Sequence, residues 1–468
     1  MRQIAFLVFT LGITGLFLLE RDRRTKPGKA LLLPFIWLLI ASSRNVGEWL
    51  QLGSPTDSAD QYLDGNPIDR NLLSVLIGLG VVILIQRRRR VGALLRENGP
   101  LLLYFAYCLL SVFWSDFPFV GLKRWVRACG DVVMVLIVLT ERDWLLARKR
   151  LYAWSAFLLL PISVLLIRYY PELGRTYSIF DGRVFWTGVT ENKNELGMIC
   201  MVFGLASLSR VLDTYRERKS LRRFGLLAAH GVIFATAVWL IHIANSATSL
   251  ACLVIGSVLL VLTSWRPLIR KPVLVHLLVA TMLGLGVSSL FLGVGSGLVN
   301  NLGRKSDLTG RVEMWGHALK LVDDPIFGAG YESFWVGSRL EKMKAVAPGV
   351  NQAHNAYIEV YLNLGWMGLI LLGVVIVSGY RKIMAAFQRN PELARLGLTY
   401  FVVTLSYGLT EAGAIKFRSP VWISFLLSIM ATSIIASRRM RESIDTKLLN
   451  ADKFDQTPRE LPAYEECI

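Results

Sequence analysis

Residues that could do chemistry are concentrated in one polar interval, residues 293–361, which lies between two long apolar stretches. His354 and Asn355 stand near its end, directly before the next apolar stretch, and a Gly310-Arg311 pair opens a short amphipathic segment earlier. A neutral imidazole can accept a proton near neutral pH, because the unperturbed pKa of histidine is about 6.5. These residues indicate a site built where lipid meets water.

Each of these residues also has a simpler interpretation. Taken alone, His354 would more often be a packing or capping residue than a base. Arg311 could instead pair with Asp307 or Glu313, and exposed ion pairs of that kind contribute little. Glu359 follows His354 by five positions, which does not place it to orient the imidazole. The other histidines are expected to be packed, structural or exposed: His230, His242, His276 and His317.

The elements that must position these residues are membrane helices. Hydrophobic residues make up 53% of the 468-residue chain, and its mean hydropathy is +0.47. A spanning helix needs about 20 apolar residues. The apolar stretches of this chain are expected to form about 12–13 spanning helices. The sequence predicts an all-α fold, a polytopic membrane helix bundle over residues 1–437. Extracytoplasmic loops are predicted at 171–194 and 293–361, and a flexible cytoplasmic tail at 438–468.

The net charge of +18 does not indicate nucleic acid, because the basic residues fall in short clusters between apolar stretches. Clusters at 21–29, 87–96, 141–150, 214–223, 266–271 and 381–395 are expected on the inside. Thirteen crossings place the N-terminus outside and the C-terminus inside. The stretch 30–43 is short, so twelve crossings are the alternative.

Three groups of cations break this positive-inside pattern and therefore need a reason. The simpler explanations are that these side chains snorkel to the interface or are attracted to lipid headgroups. Together, however, several cations beside a hydrophobic bundle predict a site for a diphosphate carried on a membrane lipid, because the arginine fork matches phosphate oxygens. The groups are Lys123, Arg124 and Arg127; Arg175, Arg183 and Lys193; and Arg304, Lys305 and Arg311.

No metal or nucleotide site is expected. His354 has no second His, Asp or Glu at metal-ligand spacing. The five cysteines form no CxxC pair, and most of them lie in or next to apolar stretches as small hydrophobic residues. A glycine-rich phosphate loop is also missing from the sequence.

A set of short motifs follows one another along about residues 100–435: Ser115-Asp116-Phe117-Pro118, Lys123-Arg124-Trp125, Gly182-Arg183, the run 188–197 (GVTENKNELG), Thr309-Gly310-Arg311 with Trp315, Pro325-Ile326-Phe327-Gly328-Ala329-Gly330-Tyr331, His354-Asn355-Ala356-Tyr357-Ile358-Glu359, Leu364-Gly365 and Gly368. In this order the motifs resemble those of the O-antigen ligase/polymerase family. The run 188–197 is most similar to the exopolysaccharide-polymerase branch.

The resemblance implies a membrane glycosyltransferase of the all-helical type that uses no metal, nucleotide sugar or other cofactor. Its donor would be a glycan on polyprenyl diphosphate at the outer face of the bacterial inner membrane, and its product a surface polysaccharide such as exopolysaccharide or O-antigen. By position, Arg183 and Arg311 would bind the diphosphate, and His354 would take the proton from the acceptor hydroxyl. Further substrate-binding candidates are Lys193, Arg124, Trp315 and Asn355.

The competing function is a transporter or flippase of lipid-linked sugars. Transport sites lie near the midplane on broken helices with buried charges. The candidate midplane charges here, Asp131, Arg210 and Glu411, are isolated or near helix ends, which does not favour a transporter. A third possibility, a structural membrane scaffold, would not explain the outside cations. The glycan, and the choice among a growing polysaccharide, a lipid core or a protein as acceptor, stay open.

Overall fold

The computed structural model describes residues 1–20, 28–50, 66–177, 182–216, 221–265, 271–291, 308–347, 349–432 and 434–435. Within these ranges the chain is almost entirely helical, which confirms the predicted all-α membrane bundle. The predicted tail, most of the 21–29 cluster, and Arg304 and Lys305 lie outside the described residues.

The first half of the chain is a series of helices that ends in a small hairpin. Its helices are α1 (Arg2–Glu20), α2 (Leu32–Ala41), α3 (Val46–Trp49), α4 (Pro67–Gln86), α5 (Arg88–Glu97), α6 (Gly99–Leu110), α7 (Pro118–Leu139), α8 (Trp144–Tyr169) and α9 (Pro171–Gly174). Strands β1 (Arg175–Tyr177) and β2 (Val184–Trp186) pair antiparallel, with Thr176 opposite Phe185. This hairpin, within the predicted loop 171–194, was not expected from the sequence.

The second half continues with α10 (Lys193–Tyr215), α11 (Leu221–Ala244), α12 (Ala247–Leu262), α13 (Pro272–Phe291), α14 (Leu308–Lys320), α15 (Gly337–Val346), α16 (Ala356–Arg389), α17 (Pro391–Gly408) and α18 (Pro420–Thr432). Among the described residues, six helices are long and apolar enough to cross a membrane: α1, α4, α8, α10, α11 and α16. The remaining predicted stretches coincide with shorter or more polar helices.

Two helices begin inside stretches that were predicted to lie between helices. Helix α8 begins at Trp144, inside the basic cluster 141–150, because the Asp143 carboxylate accepts a hydrogen bond from the Leu146 amide (3.0 Å) and caps it. The basic residues of 141–150 are therefore largely helical. Helix α16 begins at Ala356, inside the predicted loop 293–361, and continues to Arg389, inside the basic cluster 381–395.

The central helices of the bundle are rich in buried side chains, whereas a peripheral helix exposes apolar side chains. Helices α8, α10 and α17 carry long runs of buried residues, and α10 packs on α8, α11 and α12. By contrast, α1 exposes Ile4 and Leu11, with 68% and 64% of each residue accessible. A helix with apolar residues on its outer face is suited to contact with lipid.

The described part of the 293–361 interval folds onto one end of this bundle. Helices α14 and α15 share a small hydrophobic cluster with the start of α16, in which Ala318, Phe334, Met343 and Leu362 are fully buried. The polar interval is therefore a packed cap that holds the loop before α16 in place.

Candidate functional site

His354 lies in the loop directly before α16 and has a left-handed backbone, with φ 51°. Non-glycine residues rarely adopt this conformation, and it persists where neighbouring structure imposes it. The preceding residue is held on both sides: the Ala353 carbonyl accepts from Trp315 Nε1 (2.7 Å), and its amide donates to Glu359 Oε1 (2.6 Å). The fold thus fixes where the imidazole points.

Asn355 is buried and both ends of its side-chain amide are engaged within the protein. Its Oδ1 accepts from the amides of Tyr357 (2.9 Å) and Ile358 (3.0 Å), which caps α16. Its Nδ2 donates to the Leu409 carbonyl (2.8 Å). These contacts, like that of Trp315, give Asn355 a positioning role, while the predicted substrate contacts of both residues stay predictions.

Glu411 was set aside as isolated in the sequence, but the structure places it beside His354. Glu411 Oε2 lies 3.6 Å from His354 Nδ1, just beyond hydrogen-bond distance, and Oε1 accepts from Asn194 Nδ2 (3.3 Å). His354 Nδ1 is buried without a hydrogen bond to any described residue. A carboxylate at Nδ1 would orient the ring and leave Nε2 as the proton acceptor.

Arg311 reaches the same segment from α14. Its Nη1 donates to the Thr410 carbonyl (2.9 Å), and Thr410 Oγ1 donates to Thr248 Oγ1 (3.1 Å). Residues 409–411 directly follow α17. Three side chains reach them in turn: Asn355 contacts Leu409, Arg311 contacts Thr410, and His354 lies beside Glu411. The two predicted catalytic residues are brought to one place by a segment far from either in the chain.

His354 and Lys193 line a cavity of about 540 Å³, together with Glu411, Gln352 and Phe185. Lys193 Nζ lies 4.8 Å from the centre of the Phe185 ring, a distance typical of a cation–π contact. Phe185 of the hairpin thus holds a cation at the cavity wall.

A neighbouring cavity of about 670 Å³ gathers four of the cations that were predicted to lie outside. It is lined by Lys123, Arg124, Arg127 and Arg175, and Arg124 donates to the Glu332 carbonyl. The two cavities share four lining residues: Thr176, Glu191, Lys416 and Phe417. Together the two cavities form one cleft with His354 at one side, and Arg311 lies beside it without lining either cavity. The cations of the larger cavity are mixed with carboxylates: Glu48, Glu172, Glu191, Glu332 and Glu359.

Arg183 is exposed in the turn before β2. Arg183 is not among the described residues that line either cavity. Phe185, two residues further on, lines the cavity that contains His354. Its predicted contact with the diphosphate stays a prediction.

Glu191 stands on the wall that the two cavities share. Desolvation, followed by the nearby carboxylates of Glu195 and Glu48, raises the pKa of Glu191 to about 7. The raised pKa of Glu191 reduces the negative charge with which this side chain can offset the cations of the cleft.

Within the described ranges, no three His, Cys, Asp or Glu side chains are grouped so that they could hold a metal ion. Metal independence stays a prediction about the reaction.

Comparison with known proteins gives two matches. Residues 231–373 match the Wzy_C family, described as O-Antigen ligase. Over 383 residues the chain is 26% identical to the exopolysaccharide production protein ExoQ of Rhizobium meliloti (strain 1021). The aligned region covers 77% of this chain and 82% of that protein. Both matches confirm the resemblance predicted from the motifs.

Proposed function

From this similarity to the O-antigen ligase/polymerase family, we propose that the protein is a membrane glycosyltransferase of surface-polysaccharide biosynthesis. It transfers a glycan from a polyprenyl-diphosphate donor to an acceptor hydroxyl at the outer face of the inner membrane. The observation that carries the proposal is the convergence of His354 and Arg311 on residues 409–411, beside a cleft lined by cations.

His354 acts as the general base. With Nδ1–H directed at Glu411, the Nε2 lone pair accepts the proton of the acceptor hydroxyl as its oxygen bonds to the anomeric carbon of the donor sugar. The bond between that carbon and the diphosphate breaks, and its electron pair leaves with the diphosphate. Glu411 stabilises the imidazolium that results.

The cations stabilise the leaving group. Charge grows on the diphosphate as the sugar departs, and donors already aimed at that charge lower the barrier without reorganising. Arg311 is held by one nitrogen on the Thr410 carbonyl, and its other N–H groups are the ones proposed to face the diphosphate. Lys193 and the Lys123–Arg124–Arg127 group extend the positive surface toward the rest of the donor.

The direct test is product analysis with purified protein, a polyprenyl-diphosphate glycan and an acceptor glycan. We expect a lengthened or transferred glycan and release of polyprenyl diphosphate, both measured by mass spectrometry. Movement of the intact lipid-linked glycan between leaflets of proteoliposomes, without any new glycosidic bond, would instead support a transporter and contradict the proposal.

Chelation gives a further prediction. Since the proposed catalysis uses side-chain cations in place of a metal, turnover in the same assay should be unchanged after EDTA treatment. Loss of turnover that added magnesium or manganese restores would contradict the proposed site.

A further inference from the structure

A separate cavity of about 350 Å³ lies at the other end of the bundle from His354. Arg210 lines it and follows Lys193 on α10 by 17 residues, which corresponds to about 25 Å along the helix. The cavity is formed between α8, α10 and the start of α17. It has no part in the glycosyl-transfer site.

This cavity is strongly cationic. Among its lining residues, five carry positive charge and two carry negative charge: Arg148, Lys149, Arg210, Arg216 and Arg395 against Asp213 and Glu392. Like-signed charges at this density repel one another unless an anion lies between them.

The carboxylates in the cavity wall are already shared among several cations. Asp213 contacts Arg395 (2.9 Å) and Lys149 (3.5 Å), and Glu392 contacts Arg216 (3.6 Å). Neither carboxylate forms an ion pair with Arg148.

Arg148 is the cation that lacks a partner. Only 7% of the residue is exposed, and it forms no hydrogen bond or ion pair with any described residue; its Nε is fully buried. Its guanidinium carbon lies 5.5 Å from the centre of the Trp144 ring, which offers a cation–π contact but no hydrogen-bond acceptor or negative charge. Burying an unpaired guanidinium is unfavourable, so such groups are found with an anion or with ordered water.

We propose that this cavity binds a phosphate-bearing anion through Arg148. The buried Nε atoms of Arg210 and Arg395 also lack hydrogen-bond partners in the described structure, and Ser207 and Ser209 add hydroxyls to the lining. Ala153, Ala206 and Leu396 supply an apolar wall beside these donors. Arginine-lined pockets between membrane helices suit a phospholipid headgroup, and the same donors suit free phosphate.

Such an anion would tie together the ends of α8, α10 and α17. Because a ligand that binds only the folded protein stabilises it by mass action, occupancy is measurable as a rise in melting temperature. The test uses full-length protein in detergent with three additions at matched ionic strength: potassium phosphate, dihexanoyl phosphatidylglycerol or potassium chloride.

We expect the melting temperature of the wild type to rise by several degrees relative to chloride, and this rise to be lost in Arg148→Gln. The exposed Arg142→Gln, which removes the same charge outside the cavity, should keep it. A rise with phosphate identifies a free-anion site, and a rise only with phosphatidylglycerol identifies a headgroup site. A phospholipid that copurifies with the wild type and is absent from Arg148→Gln by native mass spectrometry counts as the second result.

The proposal is wrong if neither addition exceeds chloride and no phospholipid copurifies, or if Arg148→Gln responds as the wild type does. If Arg148→Gln does not fold, Ser209→Leu makes the same comparison, since it fills the cavity and keeps every charge.

Discussion

At the scale of single residues, His354 combines an unusual backbone with a chemically useful environment. Its left-handed φ is held by the contacts of Ala353, and Glu411 lies 3.6 Å from Nδ1. A residue kept only for packing would not need a carboxylate at one ring nitrogen and a cavity at its side. The combination is what general-base catalysis requires.

The first prediction is that His354→Ala lowers transfer by about 10²–10⁴-fold, the usual contribution of a positioned base. Turnover is measured per folded molecule, with donor binding assayed in parallel. Donor binding should be largely kept, because the cations of the cleft remain.

His317→Ala on α14 is the matched control and should leave turnover near that of the wild type. If folded His354→Ala keeps near-normal turnover, the base assignment is lost and only a cationic lipid-phosphate site remains.

The second prediction concerns Arg311→Lys. A lysine keeps the charge but cannot hold the Thr410 carbonyl and a phosphate oxygen together in one planar fork, so turnover should fall at least about tenfold. The measurement is the rate of polyprenyl diphosphate release by folded protein.

Arg168→Lys, on an exposed position near the end of α8, is the matched substitution and should have little effect. Arg339 is unsuitable as a control because it bridges Asp116 (2.5 Å) and Asp323 (2.7 Å). Full activity of Arg311→Lys would remove the diphosphate role from Arg311.

At the scale of elements, the start of α16 is broken at Gly365, whose φ is 62°. The turn at residues 325–331 docks into this break: Ala329 donates to the Leu362 carbonyl (3.1 Å), Gly330 to Asn363 (2.8 Å), and Trp366 to Pro325 (2.9 Å). Two motifs that are separate in the sequence are thus halves of one contact. That contact sets the direction of the first turns of α16, which follow His354.

The third prediction is that Gly365→Ala lowers the free energy of unfolding by about 2 kcal/mol or more. A Cβ there would overlap the Ile326 carbonyl oxygen, and the left-handed backbone is strained for any residue with a side chain. Thermal unfolding in detergent measures the change.

Gly373→Ala, further along α16 and with open space at its Cβ, should change stability by less than about 1 kcal/mol, on the stabilising side. Equal effects of the two substitutions would show that the break at Gly365 is not required by the fold.

At the scale of the whole molecule, the chain places two unlike cationic surfaces at opposite ends of one bundle. The cleft beside His354 gathers basic residues that break the positive-inside pattern, whereas the Arg148 cavity is built from basic clusters that follow it. This arrangement gives each end of the molecule its own anion chemistry. It also makes the orientation in the membrane decisive for function.

The fourth prediction is therefore topological. A cysteine at the exposed position Ala345, on α15, should react with a membrane-impermeant thiol reagent added outside the inner membrane, because the distribution of basic clusters predicts that this end faces outward. A cysteine at the exposed position Gln388, at the other end of α16, should react only after the membrane is opened.

The unaltered chain provides the background from its own cysteines. Ser333, on the same side as Ala345, would be a poor site because it is fully buried. Labelling of Gln388→Cys in intact cells, at the level of Ala345→Cys, would reverse or overturn the proposed orientation.

The sequence by itself determined the helices and the inventory of reactive groups. Apolar stretches of membrane length form helices wherever they pack, since the backbone must satisfy its own hydrogen bonds in lipid. Residue type makes His354 a candidate base and Arg311 a candidate phosphate ligand, and the resemblance to the family is what favoured those roles over packing or ion pairing. The ordered motifs were enough to identify the family resemblance.

Only the tertiary structure decided which groups meet. Glu411 is distant from His354 in the chain, and its role depends on how α17 packs against α16, which no local pattern records. The amide of Asn355 is used by the α16 cap and the Leu409 carbonyl, a positioning role that the sequence did not indicate, and its substrate contact stays a prediction. Arg148 belonged to a cluster read only as a topology signal, and burial between α8, α10 and α17 is what leaves it without a partner.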